Sequence, residues 1–377
     1  MKILLFVQHL GLGGVLRQIS MLADHLGRRG HEVSVLALYP LDEDWNLLWK
    51  RDFEIRILLQ KPPGALSAGI ELMKATSALN SLVKKKDVEI LYTFQGSIAR
   101  FVAWLATRGM ADTRLIWGIR GTIRGDGRSG WKVSLPFHLC KWVSGSIPLM
   151  IANSESGYAN AKTSGYRCSK HLVINNGFDT DEFKPDRAAR IRVRSEWKIK
   201  NETLIGIVAR LSVVKGLPIF LEAAALLCKE RTDLRFVIVG DGPDKRELER
   251  LSCELNLTEN LIWAGARQDM PAVYNALDIL CSSSNSEGFS NVIGEAMACG
   301  VPCVVTDVGN SAQIVGDEGI VVPPGDSQML ANGVDALLLK LNALSALEIR
   351  GRIVKQFSLE AMIDATENAL TELRRTT

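Results

Sequence analysis

The feature that most constrains the fold is an alternation, run through twice, of short apolar segments with amphipathic ones. Met1 to His9 is a run of Ile, Leu, Phe and Val of the kind buried on both faces of a sheet. Gly11-Leu12-Gly13-Gly14 follows, and Val15 to Arg29 then carries apolar residues at helical spacing through Ile19, Leu22 and Leu26. Gly30 stops that helix, and His31 to Leu38 is apolar again. Strand, glycine turn, helix and strand make a βαβ unit, whose crossover requires parallel strands.

The same pattern places strands at Val88 to Phe94, Arg114 to Ile119, Leu149 to Asn153 and Leu172 to Asn175, with helices at Ala68 to Lys84 and Ile98 to Thr107. A second series starts at Leu204 to Val208 and runs through Arg235 to Gly240, Leu261 to Ala264, Ile279 to Ser282, Val301 to Thr306 and Gly319 to Val322. Its helices fall at Ile219 to Lys229, Lys245 to Leu255 and Met270 to Ala276. The expected class is α/β, with two Rossmann-like doubly wound domains; a chain of 377 residues exceeds one ordinary core. Phe183-Lys184-Pro185 and the charged Asp186 to Arg194 mark the junction, so the expected domains are 1–182 and 183–357. Ligands of such sheets bind outside the carboxyl ends of the strands. Arg210, Lys215, Gly240, Gly265 and the 285–291 loop all fall at such ends.

Composition narrows the class. An apolar fraction of 47% with 23% charged residues is that of a globular protein. Seven cysteines without a C-x2-C pair read as reduced structural thiols, not a disulfide frame or zinc site. The opening apolar run is too short for a signal peptide, and no run reaches the ~18 apolar residues of a bilayer span. A cytoplasmic enzyme is expected, with no nucleic-acid partner. Net charge is unevenly shared: residues 1–182 hold 23 Lys+Arg against 16 Asp+Glu, and residues 183–377 hold 22 against 26. The basic first half fits solvated surface, an anionic membrane surface at the inner face of the membrane, or an acidic acceptor. The stretch from Arg120 to Trp142, with Arg124, Arg128, Lys132, Lys141, Trp131 and Phe137, is open to the same readings: an interfacial or acceptor-binding segment, or a loop and helix over the core.

Asn285 to Pro302 reads N-S-E-G-F-S-N-V-I-G-E-A-M-A-C-G-V-P. Glu287 lies in a loop, Ser290 or Asn291 can cap a helix, and Glu295 projects from that helix about one turn in. Between the carboxylates lie the free N–H groups of a helix start, which suit an anion. Donors for phosphate beside acceptors for hydroxyls describe a sugar-nucleotide pocket.

This string resembles the E-x7-E signature of retaining GT-B glycosyltransferases of family 4. Arg210-Leu211-Ser212-Val213-Val214-Lys215-Gly216 is similar to that family's G-R-L-x-x-x-K-G motif, with Ala209 in place of its first glycine. Val173-Ile174-Asn175-Asn176-Gly177-Phe178-Asp179 resembles its V-I-x-N-G-x-D segment. The resemblance implies two domains facing across a donor/acceptor cleft, with a final helix of about 358–377 crossing back to the first domain. It implies that Arg210 and Lys215 bind the donor diphosphate, that Glu295 holds the ribose hydroxyls and that Glu287 contacts the donor sugar. Backbone groups at Phe289, Ser290, Asn291 and Val292 would meet the sugar or the distal phosphate, and Arg267 would lie beside the base. The implied reaction is metal-independent transfer with retention from a nucleotide sugar, UDP-linked in this family's usage, to a glycan or lipid-linked acceptor in polysaccharide biosynthesis. No cofactor beyond the nucleotide sugar is implied. Alternatives are a nucleotide-sugar 2-epimerase of the same architecture and a non-catalytic nucleotide-sugar-binding protein.

Three local features bear on this. The turn at Gly13 and Gly14 departs from G-x-G-x-x-G, because position 16 is Leu, which disfavours a nicotinamide enzyme while still allowing close approach to a diphosphate or acceptor. Arg120 stands where many relatives carry a histidine; arginine cannot serve as a base, so its part is electrostatic or merely superficial. His9, Arg124 and Trp131 complete an acceptor-side set, with His9 equally readable as an ordinary strand-end residue. Asp179-Thr180-Asp181 spells D-x-D but sits at the junction, where turn and cap roles are expected and no metal.

Overall fold

Continuous apolar runs become the central strands of two parallel sheets. A computed structural model describes residues 1–10, 14–40, 55–62, 68–121 and 131–375. The chain divides into two units, Met1–Gly177 with Glu360–Thr377, and Phe178–Leu359.

The first unit runs β1 (Lys2–Leu10), α1 (Gly14–Arg28), β2 (Glu32–Pro40), β3 (Ile55–Ile57), α2 (Ala68–Lys85), β4 (Ile90–Gln95), α3 (Ser97–Thr107), β5 (Arg114–Ile119), α4 (Trp131–Val143), β6 (Leu149–Ala152), α5 (Glu155–Thr163) and β7 (Lys170–Val173). The sheet order is β3-β2-β1-β4-β5-β6-β7, with parallel pairings. Alternate side chains of the strands, such as Leu4, Phe6, Leu36 and Leu38, join one core cluster with α2, α3 and α4. Each such fully buried side chain contributes roughly 1.5–3 kcal/mol.

The second unit runs α6 (Arg187–Glu196), β8 (Thr203–Val208), α7 (Leu217–Glu230), β9 (Leu234–Val239), α8 (Lys245–Glu254), β10 (Leu261–Gly265), α9 (Met270–Ala276), β11 (Ile279–Ser282), α10 (Asn291–Ala298), β12 (Cys303–Thr306), α11 (Ser311–Val315), β13 (Ile320–Val322), α12 (Ser327–Lys340) and α13 (Ala346–Gln356). Its sheet order is β10-β9-β8-β11-β12-β13, again parallel. Aspartates open two helices: Asp186 accepts from Ala189 N and Asp326 from Met329 N, each at 2.9 Å.

The last helix, α14 (Leu359–Arg375), belongs with the first unit from Glu360 onward. Arg29 at the end of α1 reaches Glu360 and Asp364 at 2.7 Å and Glu367 at 2.6 Å, while His31 Nε2 lies 2.7 Å from Glu367. These contacts hold the Glu367 carboxyl below its ordinary value.

Strands and helices fall within a residue or two of the sequence expectations, save for elements whose pattern carried no period. β3 is three residues long and was not expected, nor were α5, α11, α12 and α13, while α4 agrees with the helix read as one alternative for the 120–142 stretch. Among the described residues no single helix is long and apolar enough to cross a membrane. The bent pair α12 and α13 meets that test only jointly, across a 104° break, and α12 is packed through Leu330, Val334 and Leu337 into its own unit's core.

Candidate active site

In each sheet the strand order reverses once, between β1 and β4 and between β8 and β11. Such a reversal opens a crevice at the carboxyl ends, because the flanking connections leave in opposite directions. In the second unit, the loops leaving β8 and β11 carry the motif residues to that crevice.

The two loops are bonded to one another. Ser283 Oγ donates to the carbonyls of Gly216 (2.9 Å) and Lys215 (3.1 Å), and Asn285 N donates to Val214 O at 2.8 Å. Thr306 Oγ1 on β12 holds the other side, donating to Ser284 O at 2.7 Å. Gly216 makes the approach possible: its φ is +61°, and a Cβ there would stand 2.0 Å from Ser283 O. The result brings together residues 72 positions apart, with Lys215 Nζ 2.5 Å from Glu287 Oε1. Ser284 Oγ donates to the same oxygen at 2.7 Å, fixing the Glu287 rotamer.

Glu295 lies one turn into α10, is 7% exposed, and accepts a hydrogen bond from Tyr274 OH at 2.8 Å. Phe289 is buried between Phe178 and Phe357, which sets the path of the backbone into the helix. Ser290 takes the N-cap position without making the expected cap bond; its hydroxyl is buried and has no partner among the described residues. Ser311, at the start of α11, has a second buried hydroxyl in the same condition. Asn291 and Val292 are half-buried in the first turn, where the backbone N–H groups have no intrahelical acceptor. Arg210 extends from the end of β8 with an exposed side chain.

Gly240 closes β9 at φ +139°, where a Cβ would stand 1.9 Å from Ala209 O. Its N–H donates to Gly265 O at 2.8 Å, so the ends of β8, β9 and β10 meet backbone to backbone. Arg267 just beyond is committed to acids: it bonds Asp269 at 2.8 Å, pairs with Glu196 and faces the Trp197 ring at 5.8 Å. Those bonds push its guanidinium up and hold Asp269 and Glu196 below the usual carboxylate range.

Lys215 with two fixed carboxylates, a helix start and backbone-only strand ends suits a ligand carrying both phosphate and hydroxyl groups; the structure shows Arg210 exposed at the end of β8 without bringing its side chain to this group. The sequence comparisons point the same way. Residues 202–340 match the profile of "Glycosyl transferases group 1", and residues 12–182 match "Glycosyltransferase Family 4". The chain belongs to this family of glycosyltransferases.

Among its relatives, it is 29% identical over 187 residues to the GDP-mannose-dependent alpha-(1-6)-phosphatidylinositol monomannoside mannosyltransferase of Mycolicibacterium smegmatis, a match spanning 47% of this chain and only 49% of that enzyme. It is 25% identical over 320 residues to the UDP-Gal:alpha-D-GlcNAc-diphosphoundecaprenol alpha-1,3-galactosyltransferase of Escherichia coli, covering 81% of this chain and 80% of the relative. Anabaena Alr3699/HepE, solved in complex with UDP-glucose, superposes with a TM-score of 0.84 at 23% identity, over 99% of this chain and 100% of that one. That likeness identifies the fold as GT-B, two Rossmann-like α/β domains.

In the first unit of this glycosyltransferase-family chain, Arg120 is no loose surface residue. Its guanidinium stacks on Phe94 at 3.9 Å, donates to Tyr92 OH at 2.7 Å and to Asn176 Oδ1 at 3.1 Å, and keeps a buried Nε without a partner among the described residues. Burial pushes the Tyr92 hydroxyl up against the pull of Arg120. His9 is half-buried, with its ring 6.2 Å from that of Tyr39. Gly14 opens α1. Gly13 and Arg124 lie outside the described residues, and of Trp131 only the backbone, at the start of α4, is described.

Two supporting residues were not anticipated from sequence. Arg100 is 4% exposed, and its Nε and Nη2 both donate to Gly118 O, at 3.1 and 2.6 Å. It thereby takes a carbonyl released where β4 and β5 stop pairing, two residues before Arg120. Gln8 spans β1 and α3, donating to Tyr39 OH and accepting from Ile98 N at 3.0 Å. An arginine on the Ala99, Val102 and Ala103 face of α3 was the one signal available in the sequence. The D-x-D stretch is a turn: Asp179 Oδ1 accepts from Asp181 N and Glu182 N, each at 3.0 Å. Cys281 and Cys299 are pushed up to about 12 by burial, which leaves them inert thiols.

Proposed function

We propose that the chain transfers a sugar from a nucleotide-sugar donor, UDP-linked, to a glycan or lipid-linked acceptor, with retention and without a metal. On this reading the second unit holds the donor and the first unit, with α14, receives the acceptor. The observation that carries it is the Lys215–Glu287 contact beside the start of α10, assembled from two sequence-distant loops at the reversal point of the sheet. A generic Rossmann turn needs no such pairing.

Arg210 and Lys215 would take the diphosphate, whose negative charge grows as the glycosidic bond breaks. Charge-assisted contacts of this kind contribute about 1.5–3 kcal/mol each, more of it in the transition state than in the ground state. Glu295, buried and oriented by Tyr274, would accept from the ribose hydroxyls. Glu287, held by Ser284, would face the donor sugar, and the unpartnered Ser290 hydroxyl with the first N–H groups of α10 would complete the polar lining. The acceptor hydroxyl attacks the anomeric carbon as the bond to phosphate breaks; its proton passes to the leaving phosphate oxygen, so no carboxylate base is required. Arg120, pinned on Phe94, would present a fixed positive charge on the acceptor side, with His9, Arg124 and Trp131.

The test is turnover of UDP-sugars with lipid-linked and soluble glycan acceptors in metal-free buffer, with the anomeric configuration of the product read by NMR. An α-linked product from an α-linked donor is expected. Inversion, a requirement for a metal, or 2-epimerised sugar nucleotide as the only product would each overturn the reading.

A further inference from the structure

We infer that Arg120 selects an anionic acceptor, one whose sugar carries a carboxylate or a phosphate. The inference rests on the acceptor-side reading above and names the chemical class that side would take.

Half-buried arginines elsewhere in the molecule have their charge answered. Arg190 and Arg194 share Asp278, and Arg267 holds Glu196 and Asp269. Arg350 meets no acid, but its Nη atoms donate to the carbonyls of Thr180, Phe183 and Ala298. Arg120 is half-buried too, and it has neither an acid nor a carbonyl among the described residues. Nη2 donates to Tyr92 OH at 2.7 Å, Nη1 to Asn176 Oδ1 at 3.1 Å, and the guanidinium lies over the Phe94 ring at 3.9 Å. Burial pushes the Tyr92 hydroxyl up, so it stays protonated and brings no compensating charge. Withdrawing a charge from water costs free energy that neutral partners offset only in part; an opposite charge offsets it further.

The sheet sorts its polar residues in the same sense. At the amino ends of its strands stand acids: Glu32 opens β2, Asp87 and Glu89 precede β4, and Asp112 precedes β5. At the carboxyl ends stand amides: Gln95 on β4, Asn153 after β6, and Asn175 and Asn176 after β7. Two acids begin helices on that side, Glu71 in the first turn of α2 and Glu155 in that of α5, and neither is a partner of Arg120. Buried Arg100, bonded to Gly118 O, adds a second cation close enough to act on the Tyr92 hydroxyl. A ligand suited to this end carries hydroxyls for the amides and one negative group for the guanidinium. Arginine has five N–H donors, of which two here are taken. The hydrogens left on the Nη atoms match the paired oxygens of a carboxylate or phosphate. Phe94, Tyr92 and Asn176 already hold the guanidinium in one orientation, so little order is lost when the anion arrives.

The experiment is ligand-observed NMR titration of the full chain, with and without UDP, against methyl glycosides, methyl uronides and sugar phosphates of the gluco and galacto series, and against inorganic phosphate. Wild type should bind a uronide or a sugar phosphate about tenfold or more tightly than the matching neutral glycoside, the range of one charge-assisted contact. Which of the two anions is preferred tells carboxylate from phosphate. Arg120→Gln should erase the preference and leave both the affinity for the neutral glycoside and the thermal shift by UDP at their wild-type values. Arg120→Lys keeps the charge without the planar donor set and should retain part of the preference. Tyr92→Phe removes one bond to Arg120 but not its charge, so the preference should survive a merely loosened fold. Equal affinity for neutral and anionic sugars, no binding of either anion, an unchanged preference in Arg120→Gln, or inorganic phosphate bound as tightly as the sugar anions would each overturn the inference. An Arg120-dependent preference in a protein that answers to no UDP-sugar would fail the proposed function and leave the anion site standing. Transfer to neutral acceptors that Arg120→Gln does not alter would do the reverse.

Discussion

The two sheets share one topology, yet they build their carboxyl ends differently. In the second unit the loops after β8 and β11 are tied by Ser283, Thr306 and Asn285, so that Lys215, Glu287 and Ser284 form one bonded group. Among the described residues at the same end of the first unit, single side chains reach across from separate elements instead: Arg100 to Gly118 O, Arg120 to Phe94, Tyr92 and Asn176, and Gln8 to Ile98 N. On the proposed reading, the difference would suit a preorganised donor site in the second unit and an adaptable acceptor surface in the first. Preorganisation matters most where charge develops, and variable acceptors favour a surface that individual side chains can retune.

Breaking the tied region should have the largest effect. Lys215→Ala and Glu295→Ala should each lower kcat by about 10²–10³-fold, the range for losing one preorganised charge or donor, while circular dichroism stays native. Wild-type turnover in either would remove that residue from the site. Next, Gly216→Ala forces an L side chain into a left-handed backbone and against Ser283 O; it should cost about 1–3 kcal/mol and lower kcat with it, read by denaturant unfolding and initial rates. An unchanged midpoint would show that the two loops are less tightly tied than described.

The first unit should respond more softly. Arg100→Ala strands Gly118 O and opens a cavity, so a stability loss of about 2–4 kcal/mol is expected, with the acceptor KM rising more than the donor KM. Arg120→His takes the donors away from the buried Tyr92 hydroxyl and Asn176 Oδ1, so a stability loss of about 1–3 kcal/mol is expected together with altered acceptor preference; a collapse of donor binding would sharpen the comparison in the opposite direction. The smallest effect concerns α14. Glu367 is held below its ordinary value by Arg29 and His31, so its contribution is complete above the unfolded carboxylate range and disappears as pH falls through the lowered folded value. Glu367→Gln should therefore lower the melting temperature more at pH 7 than at pH 3.

This contrast also governs what the sequence disclosed. Asn285 to Pro302 and Arg210 to Gly216 are contiguous strings, and a contiguous string retains its pattern when read along the chain. The alternation of apolar runs likewise located the strands, because each is buried on both faces. Tyr92, Phe94, Arg100, Gly118, Arg120 and Asn176 come together from four separate segments, and no spacing links them. Arg120 was visible as a departure, but not its stacking on Phe94 or its bond to Tyr92. Of the two caps the string offered, Ser290 takes the N-cap position but makes no side-chain cap bond, and its buried hydroxyl has no partner among the described residues. The commitment of Arg267 to Glu196 joins residues 71 apart, equally beyond any local pattern.

The most direct test of the central claim is thermal shift of wild type and Glu295→Ala against UDP, GDP, ADP, their sugar conjugates and NAD(P) in metal-free buffer, since a ligand that binds the native state raises its melting temperature. The account predicts selective stabilisation of wild type by UDP and a UDP-sugar, with the shift lost in Glu295→Ala. Equal shifts in both proteins, or stabilisation by NAD(P) alone, would contradict it.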